Sequence, residues 1–488
     1  MNHFNDKGHA MKTRLCAPVL AALVMLAASP ALAAPDLDFL ASAGLGDELG
    51  GRPVAIDLAR EGVVVASAAS GQGTLVRLDA QGERTGPALA LPGGVDDLAV
   101  DRGTGNVVVV GPTGLAVFDP ELAPLWQRTL TTGADARRVE VGARGTIAAL
   151  AGGVVHSFSA SGETLGRFEP DHKTIRELAV LDDAGLVVTT GWHSRVACDR
   201  PVDVAALAAF ALDGTPRWQA YGDTSEQTLC GRHGAPAHTR GVALARGGDG
   251  LLYLLAEVEG RDDLFRGRPD APGVDANNVA FDVYTDPETA HPARHAYFAR
   301  FTAQGQHLVG QYFLLPAAGS QLRPGAIAAD VDGNVYLTGV TSHSLGAADE
   351  AALSEPLDRS AGFYQVVEPD LEARRVWRLF DADDMHTDIT ALALSGDRVL
   401  TLLEATPVDG RTEGSLPSGS SVLQWSGGFG PVAAEKRPDP ETQGTFGYES
   451  GVSGSDPTCY CDTRPPAPAA WLTLAIFGLA GLRRPRRT

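Results

Sequence analysis

The chain has 488 residues, with 57 Gly, 31 Pro and an apolar share of 44%, so it is turn-rich and long enough for a large core without being a disordered polymer. The formal charge is −20; both ends are basic, which leaves −26 on residues 35–458. A body this acidic repels phosphate backbones and excludes nucleic acid as a partner, while favouring solubility outside a cell and the accumulation of cations.

The first element is an address. Lys12 and Arg14 follow Met11, residues 15–28 are apolar, and Pro30 precedes Ala31-Leu32-Ala33, a small-x-small cleavage site. Residues 1–34 are expected to be a secretory signal peptide. Cys16 lies inside it without the pattern of a lipoprotein box.

The body then repeats. Short apolar alternations recur at Val54, Leu98, Val139, Leu178, Val242, Ile327 and Leu392. Taking Ile56 for the first, their spacings are 42, 41, 39, 64, 85 and 65 residues. The first three match the roughly 40–50-residue period of a four-stranded propeller blade, and the others a blade plus an insertion. Second strands are expected from Val63, Asn106, Leu186, Leu251 and Asn334, and third strands end in turns at Gly82, Gly162, Gly214 and Gly305. Trp126, Trp218 and Trp377 fall on fourth strands, where a large ring is expected to pack between blades.

Seven units result: an all-β, single seven-bladed β-propeller of four-stranded antiparallel blades over residues 35–437. Residues 36–45 are expected to close the ring, because 427–437 make a poor strand. Residues 326–342, with Asp330-Val-Asp332-Gly-Asn334, resemble the bacterial β-propeller repeat of surface proteins, and the Trp-bearing fourth strands are similar to those of quinoprotein-type propellers. The Asp330–Asn334 run lacks the Glu of an EF-type calcium loop at its twelfth position, Thr341, and reads as a β-turn.

The extra residues fall between second and third strands (192–207, 257–295, 341–360, 405–419) or between blades (222–239, 381–388). Strand alternation puts both connection types on one rim, where binding is expected. Cys198 and Cys230, the only two cysteines of the body, are expected to pair in an oxidising destination. Eight of the ten body histidines fall in connections of this rim: His172, His193, His233, His238, His291, His295, His343 and His386. Solvated loop histidines are the default reading; no metal-ligand spacing is present, and no metal site is assigned. His193, His238, His386, Asp383 and Asp384 are the candidate ligand-face residues. No cofactor is implied, although Asp381-Ala-Asp383-Asp384-Met-His386-Thr-Asp388 has the carboxylates to hold a calcium ion. The aromatic residues Phe265, Phe281 and Tyr284 of the longest insertion argue against a bland spacer.

Residues 438–458 are expected to be a flexible linker. After it come Cys459-Tyr-Cys461, a Pro-rich spacer, an apolar run over 469–482, and Arg483, Arg484, Arg486 and Arg487. As a helix the run spans about 21 Å, short of a roughly 30 Å hydrocarbon core but adequate as a stop signal. The order of Cys motif, short hydrophobic helix and Arg cluster resembles the myxobacterial C-terminal sorting domain (MYXO-CTERM). That resemblance covers residues 459–488 and implies a C-terminal sorting protease as a partner, membrane contact through the helix before processing, and display on the cell surface or outer membrane of a Gram-negative bacterium.

No G-x-S-x-G elbow or triad ordering is present. The chain therefore reads as a non-catalytic surface propeller that binds an extracellular ligand or protein through one face. The alternative is a propeller enzyme, a hydrolase or quinone-dependent dehydrogenase, with its site at the channel mouth.

Overall fold

The computed structural model describes residues 38–426 apart from 45–51, 60–61, 70, 80–82, 131–136, 223–228, 231–236, 260–263, 282–292, 314–320, 344–355, 370, 372–373, 381–384, 396–397 and 409–418. The expected signal peptide, linker and sorting segment, with Cys459, Cys461 and the four terminal arginines, lie outside the described residues. Among the described residues no helix is long and apolar enough to cross a membrane.

Among the described residues seven blade sheets, each with four antiparallel strands, follow one another along the chain. The first blade pairs Arg52–Ala59, Gly62–Ala69, Gln72–Leu78 and Leu89–Pro92 in order. The second starts at Asp97–Val100, the third at Arg138–Val141 and the fourth at Thr174–Leu181. Inner strands His238–Arg246, Leu322–Ala329 and Met385–Ser395 open the fifth, sixth and seventh. Each inner strand touches the inner strands of the blades before and after it, and the seventh touches the first, so the ring is closed. All seven repeat anchors fall on these strands.

Closure uses both ends of the domain, as expected. Asp38–Gly44 pairs antiparallel with Gly419–Ser426 and becomes the outer strand of the seventh blade.

The runs of consecutive valines follow from where the core sits. Seven buried clusters occur, one at each interface between neighbouring blades. In the first blade Val64 and Ala66 join the cluster shared with the second, whereas Val63 and Val65 join the one shared with the seventh. A strand covered on both faces needs apolar residues at every position, not at every second one.

Aromatic residues of the fourth strands lock neighbouring blades. Trp126 donates its indole N–H to the Ala160 carbonyl at 3.2 Å, and Trp218 to Ala303 at 2.9 Å. Each ring lies over a turn glycine of the next blade. Gly162 has φ +83° and Gly305 φ +81°, and a Cβ at either would meet the Trp ring within 3 Å. Glycine is demanded twice there, by the backbone and by the ring. Trp377 lies on the fourth strand Arg374–Phe380 of the sixth blade.

Two expectations need correction. Residues 192–207 are not a loop: the ladder continues as Leu186–Ala197 and Arg200–Ala211, turned only at Cys198 and Asp199, whose φ values are +51° and +59°. Apolar alternation through Ala197, Val202 and Val204, all buried, carries the strands past the usual blade height. The insertion at 257–295 is also ordered in part. Gly267–Arg268 pairs with Ala271–Asp275, and Val279–Phe281 adds parallel to His307–Phe313, so the fifth blade has five strands rather than four.

Candidate functional site

Two places gather chemistry-bearing residues: the rim that carries the long connections, and the central channel.

On the rim, Cys198 at the tip of the fourth blade's hairpin is disulfide-bonded to Cys230 in the connection to the fifth blade, with Cα atoms 6.0 Å apart. Beside it, Arg240 on the fifth inner strand donates to Asp203 at 2.8 Å, Glu257 at 3.0 Å and Glu259 at 2.8 Å. Its guanidinium also lies 5.9 Å from the Trp192 ring, and Arg294 reaches Glu259 at 3.1 Å. The fourth and fifth blades therefore form one braced block.

The histidines depart from the expected solvated loops. His172, His295 and His343 are buried, and His193, His238 and His386 are half-buried on strands or strand ends; His233 and His291 lie outside the described residues. Burial, and then the neighbouring His193, hold His172 down to about 4; its ring meets His193 edge-on with centroids 6.1 Å apart. Burial and Arg195 also lower His193.

His238 and His386 share an arrangement that the sequence reading missed. His238 Nδ1 accepts the Asp203 N–H at 3.1 Å, and Thr239 Oγ1 the Ala205 N–H at 3.0 Å. His386 Nδ1 accepts the Ser360 N–H at 3.1 Å, and Thr387 Oγ1 the Gly362 N–H at 2.8 Å. In both, a His-Thr pair atop an inner strand clips the third strand of the preceding blade. The repeated dipeptide was the available signal. Thr387→Val keeps the shape but strands the buried Gly362 N–H, and is expected to cost about 1–3 kcal/mol. Urea unfolding checks this; an unchanged midpoint would remove the clip.

Of the acidic cluster at 381–388, Asp381, Asp383 and Asp384 lie outside the described residues. Among the described residues no group of three His, Cys, Asp or Glu is placed to hold a metal ion. The Asp330 turn is as expected: its carboxylate accepts the N–H groups of Asp332 and Asn334 and the Tyr336 hydroxyl.

The channel holds about 850 Å³ and is lined by all seven inner strands. Its wall is uneven. Blades one to four contribute Asp57, Asp97, Arg138, Glu140, Arg176 and Glu177, whereas blades six and seven contribute mainly apolar residues such as Ala326, Ala328, Leu392 and Leu394, with Arg323 and Asp388 as their charged groups. Three of the carboxylates also cap backbone. Asp57 accepts the Val100 N–H at 2.6 Å and the Arg102 guanidinium, Asp97 accepts Val139 N–H at 3.0 Å, and Glu177 accepts Leu178 N–H at 3.0 Å. The first two bonds cross from one blade to the next. Arg138 lies 3.5 Å from Glu177.

These groups touch lumen water yet are otherwise walled in by protein. Burial pushes Asp97 up to about 7, against Arg138 and with help from Glu177. Burial, and then Asp57, Glu177 and Asp97, push Glu140 well above the carboxylate range. Burial likewise raises Glu177.

Because folding raises the Asp97 pKa, the folded chain binds that proton more tightly than the unfolded chain. This stabilisation is full below the ordinary 3.8 and lost as pH rises through about 7. Asp97→Asn keeps an acceptor for Val139 and cannot ionise. Its stability relative to the wild type is expected to improve between pH 5 and pH 8 by on the order of 1 kcal/mol or more. Urea unfolding at the two pH values measures it, and a pH-independent difference would count against a raised Asp97.

No protein-family model matches the chain, and no curated protein matches it. Blade number and closure stand on strand pairing itself. Among solved structures, the chain is similar to virginiamycin B lyase from Staphylococcus aureus, at 11% identity and a TM-score of 0.43, over 78% of this chain and 96% of that one. A streptogramin B lyase is similar at the same identity and TM-score, over 78% and 95%. Likeness at that level carries nothing about activity to this chain.

Proposed function

We propose that this protein is an exported, surface-anchored, non-catalytic propeller that binds an extracellular polymer or protein through the rim bearing its long connections. The observation that carries this reading is the braced block of the fourth and fifth blades. A hairpin of two twelve-residue strands is fixed by the Cys198–Cys230 disulfide next to the largest insertion, and such a preorganised surface loses little entropy on binding. Val196 on the hairpin is 77% exposed and Val274 in the insertion 53%, large apolar groups offered to solvent on this block. The hydrolase or dehydrogenase alternative has one support, the raised carboxylates of the channel. Against it, the channel lining among the described residues contains no Ser, Cys or His.

Residues 459–488 support the anchoring by their resemblance to a sorting signal. Deleting them is expected to release the protein into the medium, as read by protease accessibility on intact cells. Binding is tested by pull-down of cell-envelope glycans and proteins from the producing organism on the purified full-length chain. Val196→Asp with Val274→Asp is expected to weaken capture at least tenfold. Val331→Asp is the control, 73% exposed in a turn on the opposite rim. Equal capture by all three proteins would overturn the rim as the binding face.

A further inference from the structure

The channel wall holds a carboxyl group without a counter-charge. Asp57, Asp97 and Glu177 each accept hydrogen bonds, and the nearby cations are committed: Arg102 to Asp57, and Arg138 beside Glu177. Glu140, on the third inner strand, is different. Its carboxyl lies deep within the protein envelope, lines the channel, and receives no hydrogen bond or ion pair from any described residue. The charged groups that face it are Asp57, Glu177, Asp97 and Arg102, three carboxylates against one cation already bonded to one of them. A carboxylate so placed is satisfied by a proton or by an incoming cation. Blades five to seven add Glu257, which Arg240 holds, and Asp388; their wall also offers the half-buried apolar surface of Val242, Ala326, Ala328, Leu392 and Leu394. About 850 Å³ lies within the range of small-molecule sites, which are typically mainly apolar with a few placed polar groups.

We propose that the channel binds a small organic cation, a primary amine or guanidinium on an apolar body, whose charged head pairs with Glu140 while its body rests on the wall of blades five to seven. A metal ion is a poorer fit, because no three ligating groups converge among the described residues. An anion would have to use Arg176 or Arg323, the channel arginines without an ion pair among the described residues; Arg176 stands beside a second cation, Arg138, and beside Glu177. The proposal rests on the channel alone and is independent of the rim.

The test is isothermal titration calorimetry on the full-length protein with three probes of one shape: 2-phenylethylamine, 2-phenylethanol and phenylacetate. The amine is expected to bind saturably, and the alcohol and the acid at least tenfold more weakly. Glu140→Gln, verified as folded by circular dichroism, is expected to lower amine affinity at least tenfold and leave the alcohol unaffected. Should that variant not fold, the three-probe comparison on the wild type still decides. No saturable binding of the amine would overturn the proposal, as would equal binding of the alcohol, equal amine binding by Glu140→Gln, or tighter binding of phenylacetate, which would assign the channel to anions.

Discussion

Replacing Phe265 with Ala is expected to destabilise the protein by about 3–5 kcal/mol, more than any substitution on the exposed face of the same insertion. Phe265 is fully buried, stacked on Tyr297 with ring centroids 4.2 Å apart and met edge-on by Tyr221 at 4.8 Å. Tyr221 and Tyr297 share a hydroxyl hydrogen bond of 3.0 Å, so the cavity left by the ring would open against polar groups that cannot collapse freely. The residue stands in a connection between strands, yet it belongs to the core between the fourth and fifth blades. Denaturant unfolding measures the loss; a change below about 1 kcal/mol would mean that the insertion is an appendage rather than part of the core.

The second large effect is expected from the disulfide. Cys198 and Cys230 are 32 residues apart, and loop-entropy reasoning gives roughly 3–4 kcal/mol for a ring of that size. Cys198→Ser with Cys230→Ser is expected to lose that amount in urea unfolding, and dithiothreitol to do the same to the wild type but nothing further to the double variant. A wild type indifferent to the reductant would show that the hairpin stands without the bridge. The Arg240 network gives a reason why the loss should remain local: Arg240, fixed within the fifth blade by Glu257 and Glu259, bonds across to Asp203 of the fourth.

Much of the ring was legible because its physics is local and repeated. Inner strands such as Ile56-Asp57-Leu58 and Leu98-Ala99-Val100 recur at blade spacing, and the turns at Gly162 and Gly305 announce themselves by residue type. The closing strand was found by elimination, and the two body cysteines left one pairing. What escaped depends on who faces whom. Nothing local distinguishes a hairpin that continues from a loop that begins, so 192–207 read as a loop although the valines at 202 and 204 carry the alternation onward. Phe265 stood only as an aromatic that argued against a bland spacer, because its core partners, Tyr221 and Tyr297, are distant in sequence.

The channel was missed for a different reason. Asp57, Asp97, Glu140 and Glu177 each interrupt an apolar inner strand in four consecutive repeats, a pattern present in the sequence. Taken one at a time they merge into the general acidity of the body. Only ring closure turns four scattered carboxylates into neighbours and gives them one shared potential.

The strand Gly419–Ser426 lies between Arg398–Pro407, made just before it, and Asp38–Gly44, made first. An emerging chain therefore carries an unmatched ribbon from its earliest residues until its last sheet arrives, so assembly finishes in a single late event after nearly the whole polypeptide is present. Such a seam is also where the circle should part first when strained. Amide protons along 419–426 should exchange sooner than those of the third blade, whose four strands are consecutive in the chain.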